Sequence, residues 1–277
     1  MRVLDTVKRP LRRLRADYWE LTAPLRGLPS ALLIGTQKGG TTSLFGYLSQ
    51  HPDVSPPLTK EVHYFDFNYV RGINWYRGRF PFDRSLRRGA LTLDASPYYM
   101  VHPLVPERAA GLLPQVKLIV LLRNPVDRAL SHYQHEVRGG RETLSFAEAL
   151  DCEPERLAGE EERLRSDPTY YSYNHHRYSY MRRGLYLEQL RRWAEHFPRS
   201  QMLILLSEQL FADPAGTTAR VHEFLGLRPR PLRLDRHFSR GGYNRSLAPE
   251  LRAKLVSYFE PHNRALCQWL GQELDWS

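Results

Sequence analysis

Cysteine is scarce in this chain, with only Cys152 and Cys267 among 277 residues. A disulfide scaffold is excluded on that count; two free thiols in a reducing compartment are the simplest reading, with a single bridge as the alternative. There is no CxxC pair and no Cys/His cluster at metal-ligand spacing, so no metal site is expected. No apolar run reaches the roughly 18 residues that a membrane-crossing helix needs. The N-terminus lacks the apolar core of a signal peptide, and these absences give the expectation of a cytoplasmic, bacterial-type protein. Acidic residues are in deficit, 30 against 40 Lys and Arg, leaving a formal charge of +10. That excess suits a polyanion or an anionic small molecule, and arginines on solvated helix faces would produce the same total.

Hydrophobic residues make up 42% of the chain, aromatics 12% and charged residues 25%, enough apolar material for a sizeable core and too much for disorder. Short apolar runs at Ala31–Ile34, Gln50–Ser55, Leu91–Asp94, Lys117–Leu122 and Gln201–Leu206 read as buried strands. Helical spacing falls between them, at Thr42–Ser49, Arg128–Val137, Ser145–Leu150, Leu185–His196, Thr218–Leu225 and Pro249–Leu270. Strands alternating with helices predict an α/β fold, a central parallel sheet flanked by helices in one domain over 29–277. Ligands of such sheets bind beyond the carboxyl ends of the strands. Residues 1–28 read as a basic helical extension, with Lys8, Arg9, Arg12, Arg13 and Arg15 among apolar residues, a composition suited to peripheral contact with an anionic membrane face. Residues 151–183 break the pattern and read as an insertion without a core of its own. Their Tyr, His and Arg residues suit an acceptor groove, a lid or a solvated surface equally.

After the first strand comes Gly35-Thr36-Gln37-Lys38-Gly39-Gly40-Thr41-Thr42-Ser43. Glycines that let backbone N–H groups approach an anion, followed by hydroxyl residues opening a helix, make a phosphate-binding loop. A Walker A loop places Lys directly after its second Gly. Here Thr41 follows Gly40 and the lysine is Lys38, inside the loop, which disfavours an ordinary nucleoside triphosphate site. A second signature is Arg123-Asn124-Pro125-x-x-Arg128-x-x-Ser131-x-Tyr133. Arg123 stands at a strand end, Asn124 is a helix cap and Pro125 fits the first helical position. Ser131 lies two turns into that helix, placed to share one phosphate with Arg123. A third element, Lys60-Glu61-Val62-His63-Tyr64-Phe65-Asp66, carries an acid and an imidazole two residues apart, on one face if the segment is extended.

Together these motifs resemble the 3′-phosphoadenosine 5′-phosphosulfate (PAPS)-dependent sulfotransferases, most closely the heparan sulfate and carbohydrate sulfotransferases and their bacterial relatives. The resemblance spans roughly Leu32 to the C-terminus. It implies a P-loop-like core that holds PAPS, with no metal, and releases 3′-phosphoadenosine 5′-phosphate (PAP). It implies that Gly35 to Ser43 bind the 5′-phosphosulfate, with Lys38 on the leaving phosphate, and that Arg123 and Ser131 bind the 3′-phosphate. Ser239-Arg240-Gly241-Gly242-Tyr243 resembles the loop that closes over the 3′-phosphate and adenine. Glu61 is then the catalytic base and His63 its helper, with Asp66, Ser96 and Tyr98 on the acceptor side. The sequence departs from the heparan pattern at Ala95, where the family has a lysine, and at Asn244, where it has a cysteine. The expected reaction is sulfuryl transfer to a hydroxyl or amine of a carbohydrate, glycolipid or small-molecule acceptor, without a nucleic-acid partner. Two alternatives stand beside it: a P-loop-like nucleotide kinase, with Asp94 as its Mg²⁺-holding acid, and a non-catalytic polyanion-binding module.

Overall fold

The structure is a computed structural model that describes residues 14–83, 90–233 and 247–276. In chain order its main elements are β1 (Ala31–Gly35), α1 (Thr41–Leu48), β2 (Val54–Ser55), α2 (Tyr64–Phe67), α3 (Gly72–Arg77), β3 (Leu91–Ala95), α4 (Val105–Leu112), β4 (Lys117–Leu122), α5 (Pro125–Arg138), α6 (Phe146–Asp151), α7 (Glu153–Leu157), α8 (Glu160–Ser166), α9 (Tyr173–Arg177), α10 (Tyr186–Ala194), β5 (Met202–Leu206), α11 (Ser207–Ala212), α12 (Pro214–Leu225) and α13 (Pro249–Leu270). The five strands form one sheet in the order β2-β3-β1-β4-β5, and every pairing is parallel. A parallel sheet is covered on both faces, which is why β1 and β4 are continuous apolar runs rather than alternating ones.

Successive residues of each strand point to opposite layers. Leu32 and Ile34 of β1 join Leu118, Val120 and Leu122 of β4 in a cluster with Tyr76, Phe80, Tyr99, Leu190 and Trp193. Ala31 and Leu33 join Ile119 and Leu121 on the other face, under Leu44 and Leu48 of α1 and Val221 of α12. A third cluster packs α5, α6 and α13 around Tyr180 and Phe259. The chain from 151 to 183 therefore docks through Tyr180 and through buried carboxylates. Glu153 accepts the N–H groups of Met181 and Arg182 at 2.7 Å each, and Glu160 accepts the hydroxyls of Tyr170 and Ser172.

The second strand is much shorter than its sequence suggests. Val54 N donates to His51 O at 3.0 Å and Asp53 N to His51 Nδ1 at 3.1 Å, so Gln50 to Asp53 form a turn and only Val54 and Ser55 pair. β1 lies between β3 and β4, so the order reverses there and the crevice opens at its carboxyl end. The start of α5 follows its local signals. The Asn124 side chain accepts from Val126 N at 3.0 Å and Asp127 N at 3.4 Å, and Pro125 holds the first position, where no N–H is needed. Among the described residues no helix is long and apolar enough to cross a membrane.

Candidate active site

A cavity of about 520 Å³ opens at the carboxyl ends of β1, β3 and β4. Its floor is the loop after β1. Lys38 has φ 70° and Gly40 φ 91°, so this turn passes twice through the left-handed region. Such a conformation costs a non-glycine residue about 1–3 kcal/mol and persists only where neighbours hold it. Arg123 Nη1 donates to Lys38 O at 2.9 Å, and Thr36 N to Leu121 O at 2.9 Å. The Ser207 hydroxyl lies 2.6 Å from Gly39 O and 2.8 Å from Leu122 O. A Cβ on Gly39 would lie 2.6 Å from Leu121 O, so only glycine lets the loop sit this close to β4.

Gln37, Lys38, Gly40, Thr41, Thr42 and Ser43 line the cavity. Gly35, Thr36 and Gly39 are buried beneath it and shape the loop from below. The N-cap of α1 is Gly40, which has no side chain to cap the helix, so the first N–H groups stay available to an anion. Arg123 and Ser131 reach the same cavity from β4 and α5, as the strand-end and two-turn spacing predicts. Ser131 Oγ is buried and has no hydrogen-bond partner among the described residues. Arg240, Gly241, Gly242 and Tyr243 lie outside the described residues.

Glu61 and His63 stand on the opposite wall. The segment is not extended, as the sequence reading assumed. Glu61 has φ 54° and His63 φ 52°, and the backbone coils between them. The two side chains nevertheless meet, with His63 Nε2 3.6 Å from Glu61 Oε2 and His63 Nδ1 2.7 Å from Asp66 Oδ2. Burial disfavours a charged ring here, but the paired carboxylates Asp66 and Glu61 outweigh it and raise His63 to about 10. The hydrogen bond from His63, with Lys60 helping against burial, holds Glu61 below the usual carboxylate range. The result is an ionised carboxylate facing the cavity, backed by an imidazolium and a second carboxylate.

Two expected acceptor contacts are not on the cavity wall. Asp66 is buried behind His63, and its other oxygen, Oδ1, accepts Phe67 N at 2.7 Å. Ser96 is fully buried, accepts His63 N at 3.1 Å and donates to Asp94 at 2.8 Å. Both lack access because the turn into α2 carries His63 between them and the opening. Tyr98 does line the cavity, with its hydroxyl 2.6 Å from His175 Nδ1. Asp94, the acid a kinase would need for Mg²⁺, is also fully buried and ringed by hydroxyls.

The cavity also recruits His135, His176, Arg177 and Phe211, none of them singled out as a site residue from the sequence. His135 had a readable signal, since it lies four residues after Ser131 on the same face of α5. Phe211 had none. His176 and Arg177 come from the Tyr/His/Arg-rich stretch. Burial, reinforced by Arg183 and Arg177, lowers His176 to about 2 and keeps the ring neutral. Arg183 anchors the stretch: it donates to the Gln37 side chain and to the carbonyls of His175 at 3.0 Å and His176 at 2.8 Å. The tip of the phosphate loop and α9 are therefore tied through one guanidinium. Among the described residues, no group of three or more His, Cys, Asp or Glu side chains is arranged to hold a metal ion.

Residues 28–241 match the sulfotransferase domain family. The chain is 34% identical over 276 residues to mouse heparan sulfate glucosamine 3-O-sulfotransferase 6, covering 91% of this chain and 74% of that protein. A solved sulfotransferase from Alicyclobacillus acidocaldarius superposes with a TM-score of 0.66 at 32% identity, over 90% of this chain and 98% of its own. Mouse sulfotransferase SULT7A1, solved in complex with PAP, shares the fold at a TM-score of 0.50 and 15% identity, over 88% of each chain.

Proposed function

The chain belongs to the sulfotransferase family, and we propose that it transfers a sulfuryl group from PAPS to a hydroxyl of a carbohydrate acceptor, with Glu61 as the base. The observation that carries this reading is the juxtaposition in one cavity of the Lys38 loop, suited to phosphate, and an ionised Glu61 backed by His63. The names of its relatives support a sugar acceptor, the mouse enzyme being a heparan sulfate glucosamine sulfotransferase.

The residues present suit such a donor. Ser131 Oγ is a buried hydroxyl lacking a partner among the described residues, and the uncapped start of α1 offers backbone N–H groups. Arg123 and Ser131 would hold the 3′-phosphate, and Lys38, Thr41, Thr42 and Ser43 the 5′-phosphate. Arg240 to Tyr243 are proposed to complete the nucleotide site. When bound, the donor supplies a sulfuryl group already joined to a phosphate leaving group. Glu61 accepts the proton of the attacking hydroxyl as its oxygen bonds to sulfur and the sulfur–phosphate oxygen bond breaks. Lys38 and the loop N–H groups stabilise the charge that develops on the leaving phosphate, an effect already organised before reaction. His63 and Asp66 orient Glu61, and Tyr98 faces the acceptor.

Calorimetric titration with PAP in chelator-treated buffer tests the donor site, with ADP as control and Lys38→Ala in parallel. Tight PAP binding that exceeds ADP and weakens in the variant is the expected result. Absence of PAP binding, or binding of magnesium nucleotides alone, would overturn the reading.

A further inference from the structure

Asp94, the penultimate residue of β3, is fully buried and does not line the cavity. Three hydroxyl groups point their protons at it. Ser96 Oγ lies 2.8 Å from Oδ1, and the Tyr99 and Tyr76 hydroxyls lie 2.8 and 3.1 Å from Oδ2. Two of these hydroxyls also receive backbone N–H groups from the segment that carries Glu61 and His63. Ser96 Oγ accepts His63 N at 3.1 Å, and the Tyr99 hydroxyl accepts Tyr64 N at 2.8 Å and Phe65 N at 3.4 Å. A hydroxyl has one proton. Since the N–H groups can only donate, each hydroxyl must spend that proton on Asp94. The direction of the whole network is thereby set, and it terminates in a carboxylate that only accepts.

We propose that Asp94 is a positioning residue for the base: through Ser96 and Tyr99 it holds the turn from Glu61 to Phe65 against the cavity. The role rests on the reading of Glu61 as base. The turn needs an external hold for two reasons. Glu61 and His63 are both left-handed, a region that L-residues enter at a cost. Helix α2 has four residues and no side-chain cap from His63, so its first N–H groups have no partner of their own. Tyr99 and Ser96 supply the missing acceptors from β3 and the turn after it. Burial pushes Asp94 up to about 6, with the three hydroxyl bonds and the His63 imidazolium opposing the rise. It therefore carries its charge at neutral pH.

Asp94→Asn preserves shape but replaces one acceptor oxygen by a donor, so at least one hydroxyl loses the acceptor of its proton and must turn, which perturbs the network that holds the turn. Ser96→Ala removes one bridge without changing any charge. The two single variants and the double variant are compared, with Tyr99→Phe in reserve should Asp94→Asn fail to fold. One readout is the titration of the ¹⁵N-labelled His63 ring, identified with His63→Gln. The second is kcat and KM with PAPS and an N-sulfated glucosamine oligosaccharide, beside PAP affinity. The expected result is a loss in kcat of about tenfold or more in each single variant. PAP affinity should stay within about twofold. The His63 midpoint should fall even in the charge-neutral Ser96→Ala, and the double variant should be no worse than Asp94→Asn. The proposal is overturned if Ser96→Ala matches the parent protein in both readouts, if the two losses multiply, or if PAP affinity falls in step with kcat. A parent protein that never turns over PAPS would refute sulfuryl transfer, while the His63 titration would still decide the positioning role.

Discussion

Replacing Glu61 by Gln is the sharpest perturbation of this site, because the competing roles of the residue differ in magnitude by orders. The glutamine keeps the shape and removes the charge. If Glu61 serves only as an ion partner, the loss is that of an exposed pair. Its side chain is 41% exposed and that of Lys60, 3.3 Å away, is 35% exposed. Such pairs contribute about 0.2–1 kcal/mol each, and with the His63 pair at 3.6 Å lost as well the largest expected change is about thirtyfold. If Glu61 removes the acceptor proton, the loss is that of general base catalysis, about 10²- to 10⁴-fold, or roughly 3–5 kcal/mol of barrier. The ranges do not overlap. The assay is steady-state transfer from PAPS to a glucosamine-containing oligosaccharide, with PAP affinity and thermal melting measured on the same preparation. The expected outcome is a fall in kcat of at least about 100-fold with PAP affinity changed by less than about twofold. Retention of more than about a thirtieth of the parent kcat would refute the assignment of Glu61 as base. An equal collapse of PAP affinity would show that the substitution damages the donor site instead.

Gly39→Ala should be costly, because its Cβ would lie 2.6 Å from Leu121 O and 2.9 Å from Thr36 Cγ2. Overpacking of this kind costs about 1–3 kcal/mol, and a lowered denaturation midpoint together with weakened PAP binding is expected. Ser131→Ala should leave stability unchanged or slightly improved, since it removes a buried hydroxyl with no partner among the described residues, while weakening PAP binding about 5- to 10-fold by calorimetry. The folded His63, at about 10, stands above its ordinary value near 6.5. Its contribution to stability is therefore complete below about pH 6.5 and is lost as the pH rises through 10. Denaturant midpoints measured between pH 6 and 10.5 should fall over that window, and more steeply in the parent protein than in His63→Gln.

The positions of β1, β3, β4 and β5 and of the loops after β1 and β4 were legible in the sequence because each is determined locally. The runs ALLI and LIVLL are apolar on both faces, as a covered parallel strand requires, while LTLD carries Thr92 and Asp94 on one face. GTQKGGTTS runs into the helix that starts at Thr41, and Asn124-Pro125 caps another. Ser131 could be placed from helical rise alone, and His135 should have been. The acceptor side was not legible. The extended reading of Glu61 to His63 failed because both residues are left-handed, a conformation their side chains do not favour and which is accompanied by tertiary hydrogen bonds from His63 N to Ser96 and from Tyr64 N to Tyr99. Asp66 and Ser96 were expected at the acceptor, and the same turn buries them behind His63. His176 and Arg177 stand more than a hundred residues from Glu61 in the chain, and their place on the same cavity depends on Arg183 reaching Gln37 and on the buried carboxylates of Glu153 and Glu160. The chain by itself determined what periodicity, capping and glycine can encode over a few residues: the strands, the helices and the glycine-rich turn between β1 and α1. Only the tertiary structure decided which distant side chains face one another across the cavity, because those positions follow from long-range packing and from where buried hydroxyls can deliver their protons.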